Sequence, residues 1–230
     1  MNPIAYAFFA INKEARLEIK KMANIFITGI GTDVGKTVVA AIVTEALEAD
    51  YFKPVQAGDL DNSDTMKVER LISNTKTKFH ANSYALNTPM SPHAAADIDG
   101  VLINTDKIEI PQTENHLVIE GAGGILVPLN QTQTILDIID ASYKVIVVSR
   151  HYLGSINHSL MTIELLKARG LDVHLLFNGN EHETTESIIK SMTNIPVLGR
   201  INEEETIDKM VIKKYADALK NNLSQLISAK

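Results

Sequence analysis

The residue types that could carry chemistry are concentrated first in a glycine-rich segment, residues 29–37, which reads GIGTDVGKT. Glycines allow backbone N–H groups to turn inward around an anion, a lysine can reach the outer phosphates of a nucleotide, and a hydroxyl can bind Mg²⁺. Gly31, Gly35, Lys36 and Thr37 supply these groups. The segment therefore predicts a phosphate-binding loop.

One position of this segment departs from the common loop pattern. That pattern has a glycine five positions before Gly35, where Ile30 stands. If Gly29 takes the place of that glycine, the loop is one residue longer. The apolar run at residues 24–28 predicts a strand before the loop, and the periodicity of residues 34–48 predicts a helix after it, which is the setting that phosphate binding requires.

Two acidic residues are candidates for holding a metal ion. Glu120 closes the apolar run 116–119 and precedes four small residues, Gly121–Gly124. An acid at the end of a parallel strand beside a phosphate loop is placed to bind Mg²⁺ or its waters. Asp64 is a second candidate, although its tripeptide, residues 62–64, is also typical of a helix cap.

Two further segments could bind negative charge. Lys53 follows two aromatic residues at the expected carboxyl end of a strand, where it could neutralise a transferring phosphoryl group or simply be a solvated lysine. Residues 153–157 follow the most apolar strand and open a helix. Free N–H groups there could bind a phosphate or carboxylate, and the alternative is that Ser155 only caps the helix.

The elements that must position these residues alternate between strands and helices. Strands are predicted at residues 24–28, 51–54, 116–120, 144–149, 173–177 and 196–198. Helices are predicted at residues 34–48, 63–71, 155–169, 183–192 and 206–226, and residues 87–93 are predicted to form a loop because they contain two prolines. This order predicts an α/β fold of the P-loop NTPase type, a single domain with a mostly parallel sheet and helices on both faces.

Composition narrows the function classes. The sequence has 230 residues, a formal net charge of -6 and no basic run, so we expect no nucleic-acid partner. It has no cysteine, which excludes disulfides and thiolate catalysis and is typical of a cytoplasmic location. No apolar run approaches the roughly 18 residues of a membrane span, so no membrane association is expected.

The first 21 residues are treated separately from the fold. Residues 4–11 are apolar but lack a basic lead and are short for a signal peptide. Met22-Ala23 directly precedes the first predicted strand. Residues 1–21 are therefore predicted to be an extension outside the core domain, residues 22–230, with a short surface helix as the alternative.

Taken together, these motifs resemble a known family. The loop at 29–37, Lys53-Pro-Val, Asn62-Ser-Asp64, Ser91-Pro-His93, Glu120–Gly124 and Leu153–His158 occur in the order seen in dethiobiotin synthetases. The resemblance covers residues 22–199, and the lengthened loop ending in Val-Gly-Lys-Thr is characteristic of that family.

The resemblance implies an ATP-dependent ligase of biotin biosynthesis. It would join 7,8-diaminononanoate and CO₂ with MgATP and close the ureido ring of dethiobiotin through a carbamate and a carbamic–phosphoric anhydride. The implied partners are these small molecules and a second copy of the chain, in a homodimer whose subunits share active sites.

The resemblance also implies residue roles. The ATP contacts would be Thr32, Asp33, Val34, Gly35, Lys36, Thr37, Asp64, Glu120, Gly121, Ala122, Gly123 and Asn178. Thr37, Asp64 and Glu120 would hold Mg²⁺, and Lys36 and Lys53 would be catalytic. The substrate contacts would be Thr32, Lys53, Ala57, Gly154, Ser155, Ile156 and Asn157.

Four positions depart from the family pattern or leave the alignment with it open. The family often has an aspartate where Gly31 stands, and it has a proline after the last strand where Asn202 stands. The family commonly has serine or threonine at Ala57, so that contact would be absent or made by the backbone. The adenine contact is Asn178 or Asn180, because residues 177–180 align in two ways.

Two other functions are compatible with the fold. A switch ATPase of the partitioning or electron-transfer type would act through a protein partner, but it has no need of Lys53-Pro-Val or of the segment 153–157. An amidotransfer-type ligase without its glutaminase part is the third possibility.

Overall fold

The computed structural model of the chain describes residues 22–228. The predicted extension, residues 1–21, lies outside the described residues. Within residues 22–228, no helix has both the length and the apolar character needed to cross a membrane.

A seven-stranded sheet, with every neighbouring pair parallel, forms the centre of the molecule. Its strands are β1 (Asn24–Gly29), β2 (Asp50–Phe52), β4 (Phe79–His80), β6 (Leu117–Gly124), β7 (Lys144–Arg150), β8 (Asp172–Asn178) and β9 (Val197–Ile201). Their order across the sheet is β4-β2-β6-β1-β7-β8-β9. The central strands are apolar runs without alternation because both faces of the sheet are covered.

Within the described residues, 22–228, six α-helices surround the sheet. They are α1 (Lys36–Leu47), α2 (Asp64–Leu71), α3 (Pro92–Asp99), α4 (Ser155–Ala168), α5 (Glu183–Thr193) and α6 (Lys209–Ser228). The connection from β1 to β2 runs towards the β4 edge of the sheet, and the connection from β7 to β8 runs towards the β9 edge. Since parallel crossovers are right-handed, these opposite directions place α1 and α4 on opposite faces. The predicted fold class is confirmed.

A second, two-stranded parallel sheet was not predicted. It pairs β3 (Val55–Ala57) with β5 (Tyr84–Leu86), and α3 packs on both strands. These strands are only three residues long, which is too short to give a periodic signal. The small sheet forms the wall beside the carboxyl edge of the main sheet.

Several predicted boundaries were wrong. The helix predicted from residue 34 begins at Lys36, because the phosphate loop uses the two preceding positions. The loop predicted at 87–93 ends where α3 starts, since Pro92 occupies the first helical turn, where its missing N–H is tolerated. The strand predicted to end at Glu120 continues to Gly124, because Gly124 pairs with Gly29 of β1 beyond an irregularity in the register.

Register decides what meets at the carboxyl edge of the sheet. Ile27 of β1 is level with Glu120 of β6, and Phe52 of β2 is level with Ile119. Lys53, one residue beyond Phe52, therefore lies at the level of Glu120. The strand ends that carry the phosphate loop, the lysine and the glutamate are neighbours in the sheet.

Candidate active site

The loop between β1 and α1 has the backbone geometry of an anion site. Gly35 adopts a left-handed conformation, φ +94°, directly before α1, and no side chain caps the helix there. Added to Gly35, a Cβ atom would lie 2.1 Å from the Nδ2 atom of Asn178. Only glycine fits, and the N–H groups of the first helical turn remain available to a phosphate.

The unusual position of the loop is part of the core. Ile30 is buried, and its N–H donates to the carbonyl of Val148 at 3.1 Å. A Cβ atom on Gly29 would lie 2.5 Å from the Cγ2 atom of Val34 and 2.9 Å from the oxygen of Gly31. The close approach that demands glycine thus falls at Gly29, in agreement with a loop that is one residue longer.

Lys36 lies folded over the loop. Its ammonium donates to the carbonyl of Gly31 at 3.0 Å. Burial lowers the pKa of Lys36, and the Glu120 carboxylate acts in the opposite direction. The lysine is therefore held at the mouth of the loop, within reach of an anion bound to the loop N–H groups.

Lys53 lies between two carboxylates. Its ammonium is 2.7 Å from Asp64 Oδ2 and 3.0 Å from Glu120 Oε1, and the lysine is only 4% exposed. Burial opposes the charged form, but Glu120 and Asp64 outweigh it and raise the pKa of Lys53. Asp64 responds in the opposite sense: burial acts to raise its pKa, but Lys53 and Lys67 lower it.

Glu120 is the centre of this cluster. Its Oε1 accepts from the Thr37 hydroxyl at 2.9 Å as well as from Lys53, and its Oε2 accepts from the Tyr51 hydroxyl at 2.8 Å. Burial, followed by the charge of Glu120, raises the pKa of the Tyr51 phenol well above its usual value, so Tyr51 acts as a donor. The glutamate is 1% exposed, forms an ion pair with Lys53 and accepts hydrogen bonds at both of its oxygens.

Three residues of the site were not predicted from the sequence. Gln56 accepts from the Asp64 N–H at 3.2 Å and donates to the Gly58 carbonyl at 2.9 Å, and so fixes the segment that carries Asp64. Lys67 lies 3.2 Å from Asp64 Oδ1. Tyr51 is the third, and its position two residues before Lys53, on the same face of an extended segment, is a signal that could have identified it.

A cleft of about 740 Å³ opens over these residues. It is lined by most of the predicted ATP, metal and substrate contacts: Thr32, Asp33, Gly35, Lys36, Thr37, Lys53, Ala57, Asp64, Glu120, Ala122 and Gly123. Four acidic residues and three lysines are among the lining residues. Because the lysines do not outnumber the acids, a polyanionic ligand would need an accompanying cation to bind there.

Three other predicted ATP contacts lie outside the lining. Val34 is buried, and its carbonyl accepts from the Asn178 side chain at 2.8 Å. Gly121 packs against the ring of Phe26. Asn178 thus supports the loop from behind, while Asn180 accepts from the Glu203 N–H at 3.2 Å.

The predicted contacts in residues 154–157 lie in a second pocket. That pocket also measures about 740 Å³ and is lined by Gly154, Ser155, Ile156 and Asn157 together with Tyr152, none of which lines the first cleft. Gly154 precedes α4 with φ +101° and no side-chain cap. The Ser155 N–H donates to the Tyr152 carbonyl at 2.9 Å, so the start of this helix presents the N–H groups of Ile156 and Asn157, away from the Lys53 cluster of the same chain.

The first cleft fits a hard divalent cation. Thr37, Glu120 and Asp64 supply oxygen donors, and both carboxylates already converge on one cationic atom, the Lys53 ammonium. Residues 22–228 contain no cluster of three His, Cys, Asp or Glu side chains suited to a metal ion. Mg²⁺ needs no such cluster, because it is usually bound by one or two carboxylates, waters and substrate phosphates.

The parallel sheet, the loop before α1 and the buried carboxylate on the neighbouring strand define a P-loop nucleotide-binding protein. A family model described as an AAA domain matches residues 23–211. The chain belongs to the family of ATP-dependent dethiobiotin synthetases, as the motifs predicted. It is 57% identical over 202 residues to such an enzyme from Christiangramia forsetii, covering 87% of this chain and 98% of that one. With a Cytophaga hutchinsonii relative of the same name it shares 47% identity, covering 87% and 98%.

Solved structures of other P-loop proteins share the fold. The MinC:MinD cell division protein complex of Aquifex aeolicus matches with a TM-score of 0.58 at 15% identity, covering 90% of this chain and 97% of that one. A ParA family ATPase from Chlorobium tepidum matches with a TM-score of 0.53 at 14% identity, covering 90% and 96%. These likenesses concern the fold alone, whereas the sequence relatives are named as synthetases.

Proposed function

We propose that this chain closes the ureido ring of dethiobiotin from 7,8-diaminononanoate, CO₂ and MgATP, releasing ADP and phosphate. The observation that carries the proposal is the position of Lys53, which is buried between Glu120 and Asp64 at the edge of the phosphate loop. A switch ATPase has no need of a charged lysine at this place. A ligase that phosphorylates a carboxyl group needs such a lysine, because the attacking carboxylate and the transferred phosphoryl group both carry negative charge as they approach each other.

The phosphate loop would hold the nucleotide. Thr32 to Thr37 line or build the loop, Gly35 leaves the N–H groups of the first turn of α1 free, and Lys36 is held at the mouth of the loop. We assign Thr37, Asp64 and Glu120 as the Mg²⁺ ligands. The bound cation would supply charge neutralisation to the terminal phosphates, and it would balance the acidic lining of the cleft.

Lys53 would act on the carbamate. An amine of the substrate adds to CO₂ and loses a proton, and the carbamate oxygen then attacks the γ-phosphorus with departure of ADP. The second amine attacks the carbonyl carbon, expels phosphate and loses a proton as the ring closes. The Lys53 ammonium, kept charged by its two carboxylates, would stabilise the carbamate and the phosphoryl oxygens as they approach each other.

The start of α4 would bind the distal carboxylate of the substrate. Gly154 leaves N–H groups uncapped, and Ser155, Ile156 and Asn157 form the first helical turn. In one chain this pocket is separate from the Lys53 cleft. We therefore propose a homodimer in which the helix start of one subunit completes the cleft of its partner.

Complementation tests the shared site. Asn157 is exposed at the start of α4, so Asn157→Asp should leave stability unchanged while its charge repels the substrate carboxylate. We expect Lys53→Gln and Asn157→Asp each to be nearly inactive alone. Mixed and re-equilibrated, they should recover up to about a quarter of wild-type activity through heterodimers with one intact site. No recovery in a confirmed heterodimer would contradict the shared site.

The decisive experiment measures phosphate release from MgATP and bicarbonate with and without 7,8-diaminononanoate, and follows the product by mass. We expect release that depends on the diamine and a product that gains one cyclic carbonyl. Diamine-independent hydrolysis would favour the switch ATPase. Activity that requires ammonia instead would favour the amidotransfer-type ligase.

The remaining assignments are proposals of the same kind. We place the catalytic domain at residues 22–230 and the extension at 1–21, the latter outside the described residues. A cytoplasmic location is proposed from the cysteine-free sequence. No nucleic-acid partner is proposed, given the net charge of -6.

A further inference from the structure

The hydroxyl of Tyr51 has a single, buried partner in the active-site cluster. Tyr51 lies in β2, is 0% exposed, and donates from its hydroxyl to Glu120 Oε2 at 2.8 Å. Its ring packs against Phe79 with the ring centroids 5.9 Å apart. The Tyr51 hydroxyl therefore reaches Glu120 on the side of the carboxylate that faces the core, whereas Thr37 and Lys53 both line the cleft.

The two oxygens of Glu120 consequently have different surroundings. Oε1 accepts from Thr37 and Lys53, and Oε2 accepts from Tyr51. The terminal torsion of a glutamate is broad and soft, so packing alone does not fix the plane of its carboxylate. A donor on the inner side does, because a buried oxygen without a hydrogen bond is costly.

We propose that Tyr51 is a positioning residue that sets the plane of the Glu120 carboxylate and so keeps its other oxygen aimed at Thr37, Lys53 and the divalent cation that accompanies the nucleotide. This inference rests on the proposed function. It differs from a core role because the hydroxyl, rather than the ring, carries the effect. Partners of metal-binding carboxylates commonly change metal affinity or activity by about 10- to 100-fold when they are removed.

The chain offers a matched control. Tyr143 is also buried, at 6% exposure, and its hydroxyl contacts the Asn24 side chain at the amino end of the sheet. Tyr143→Phe and Tyr51→Phe each remove one hydroxyl from a buried ring. Loss of a hydrogen bond should affect stability in both variants, whereas only Tyr51→Phe should affect cation binding.

The test uses the full chain with Mn²⁺ in place of Mg²⁺ and a non-hydrolysable ATP analogue. Electron paramagnetic resonance measures Mn²⁺ bound per folded protein, and steady-state assays give kcat and the KM for the diamine. For Tyr51→Phe we expect Mn²⁺ affinity or kcat to fall by about 10- to 100-fold. The KM for the diamine should stay within a few-fold of wild type, and Tyr143→Phe should match wild type in all three quantities.

Each other outcome has a definite meaning. A Tyr51→Phe protein with wild-type Mn²⁺ affinity and kcat would overturn the inference and leave the proposed function intact. Equal losses in Tyr51→Phe and Tyr143→Phe would also overturn it, since a general loss of stability would then explain both. A wild-type protein that neither binds Mn²⁺ with the nucleotide nor consumes the diamine would overturn the proposed function itself.

Discussion

The ammonium of Lys53 lies 3.0 Å from Glu120 Oε1, although 67 positions separate the two residues in the chain. They meet because β2 and β6 are neighbours in the sheet and their register places Lys53 level with Glu120. A buried charged pair costs desolvation that good geometry only partly offsets, so the pair is better explained by chemistry than by stability.

Replacing Lys53 with glutamine should lower kcat by about 10²–10³-fold, because one donor to developing negative charge is lost. Binding of MgATP should change only a few-fold, since the phosphate loop is intact. Stopped-flow nucleotide binding and phosphate-release assays measure the two effects. The matched control is Lys144→Gln, which removes a lysine paired with Asp172 at the opposite end of the sheet. Normal turnover in Lys53→Gln would contradict the assigned role.

Replacing Gly35 with alanine should abolish nucleotide binding. The left-handed backbone costs a non-glycine residue on the order of 1–3 kcal/mol, and the new Cβ would overlap Asn178, whose Nδ2 atom lies 2.1 Å from that position. Gly170→Ala is the control, because Gly170 has φ +72° and nothing lies within 4 Å of its Cβ position. Urea unfolding should show a similar loss of stability from backbone strain in both variants. Nucleotide titration should show loss of binding in Gly35→Ala only. Equal binding in the two variants would refute the steric argument.

Glu186 should make stability depend on pH. Burial acts to raise its pKa, but hydrogen bonds from Arg200, the His182 N–H and His151 outweigh burial and lower the pKa to about 2, from an ordinary value of 4.5. Lys190 lies 3.5 Å from the same carboxylate. A depressed folded-state pKa stabilises the protein above about pH 4.5, and this stabilisation is lost as the pH falls towards 2.

The corresponding variant is Glu186→Gln. It should cost about 1.5–3 kcal/mol at neutral pH, because hydrogen bonds to a charged group are weakened. The difference from wild type should shrink between pH 4.5 and 2, which urea unfolding at several pH values would measure. Glu183→Gln, at an exposed position of the same helix, should change stability by no more than about 0.5 kcal/mol at any pH. A constant difference across this pH range would show that Glu186 does not titrate as described.

Deleting residues 1–21 should leave kcat and the unfolding midpoint unchanged. The family model begins at residue 23, and β1 begins at Asn24. Differential scanning calorimetry and the diamine-dependent assay on the shortened chain test this prediction. A loss of activity or a lowered midpoint would mean that the extension contributes to the folded domain.

Many features of this protein could be predicted from local sequence patterns. The phosphate loop, the alternation of strands and helices, and the Ser63 cap before α2 all depend on neighbouring residues, so short-range spacing and periodicity could predict them. The order of motifs also identified the family. The glycine that the common loop pattern has at position 30 stands at position 29 instead, and this shift could likewise be recognised as a loop one residue longer.

Other features depended on contacts between distant parts of the chain. The meeting of Lys53, Asp64 and Glu120 follows from strand order and register, and the donation from Tyr51 to Glu120 follows from which face of β2 turns inward. The short strands β3 and β5 form only because they pair with each other. Local sequence determined the elements and the chemical groups, but long-range pairing alone decided which groups share one buried cluster, since interaction energies depend on distance and burial rather than on order in the chain.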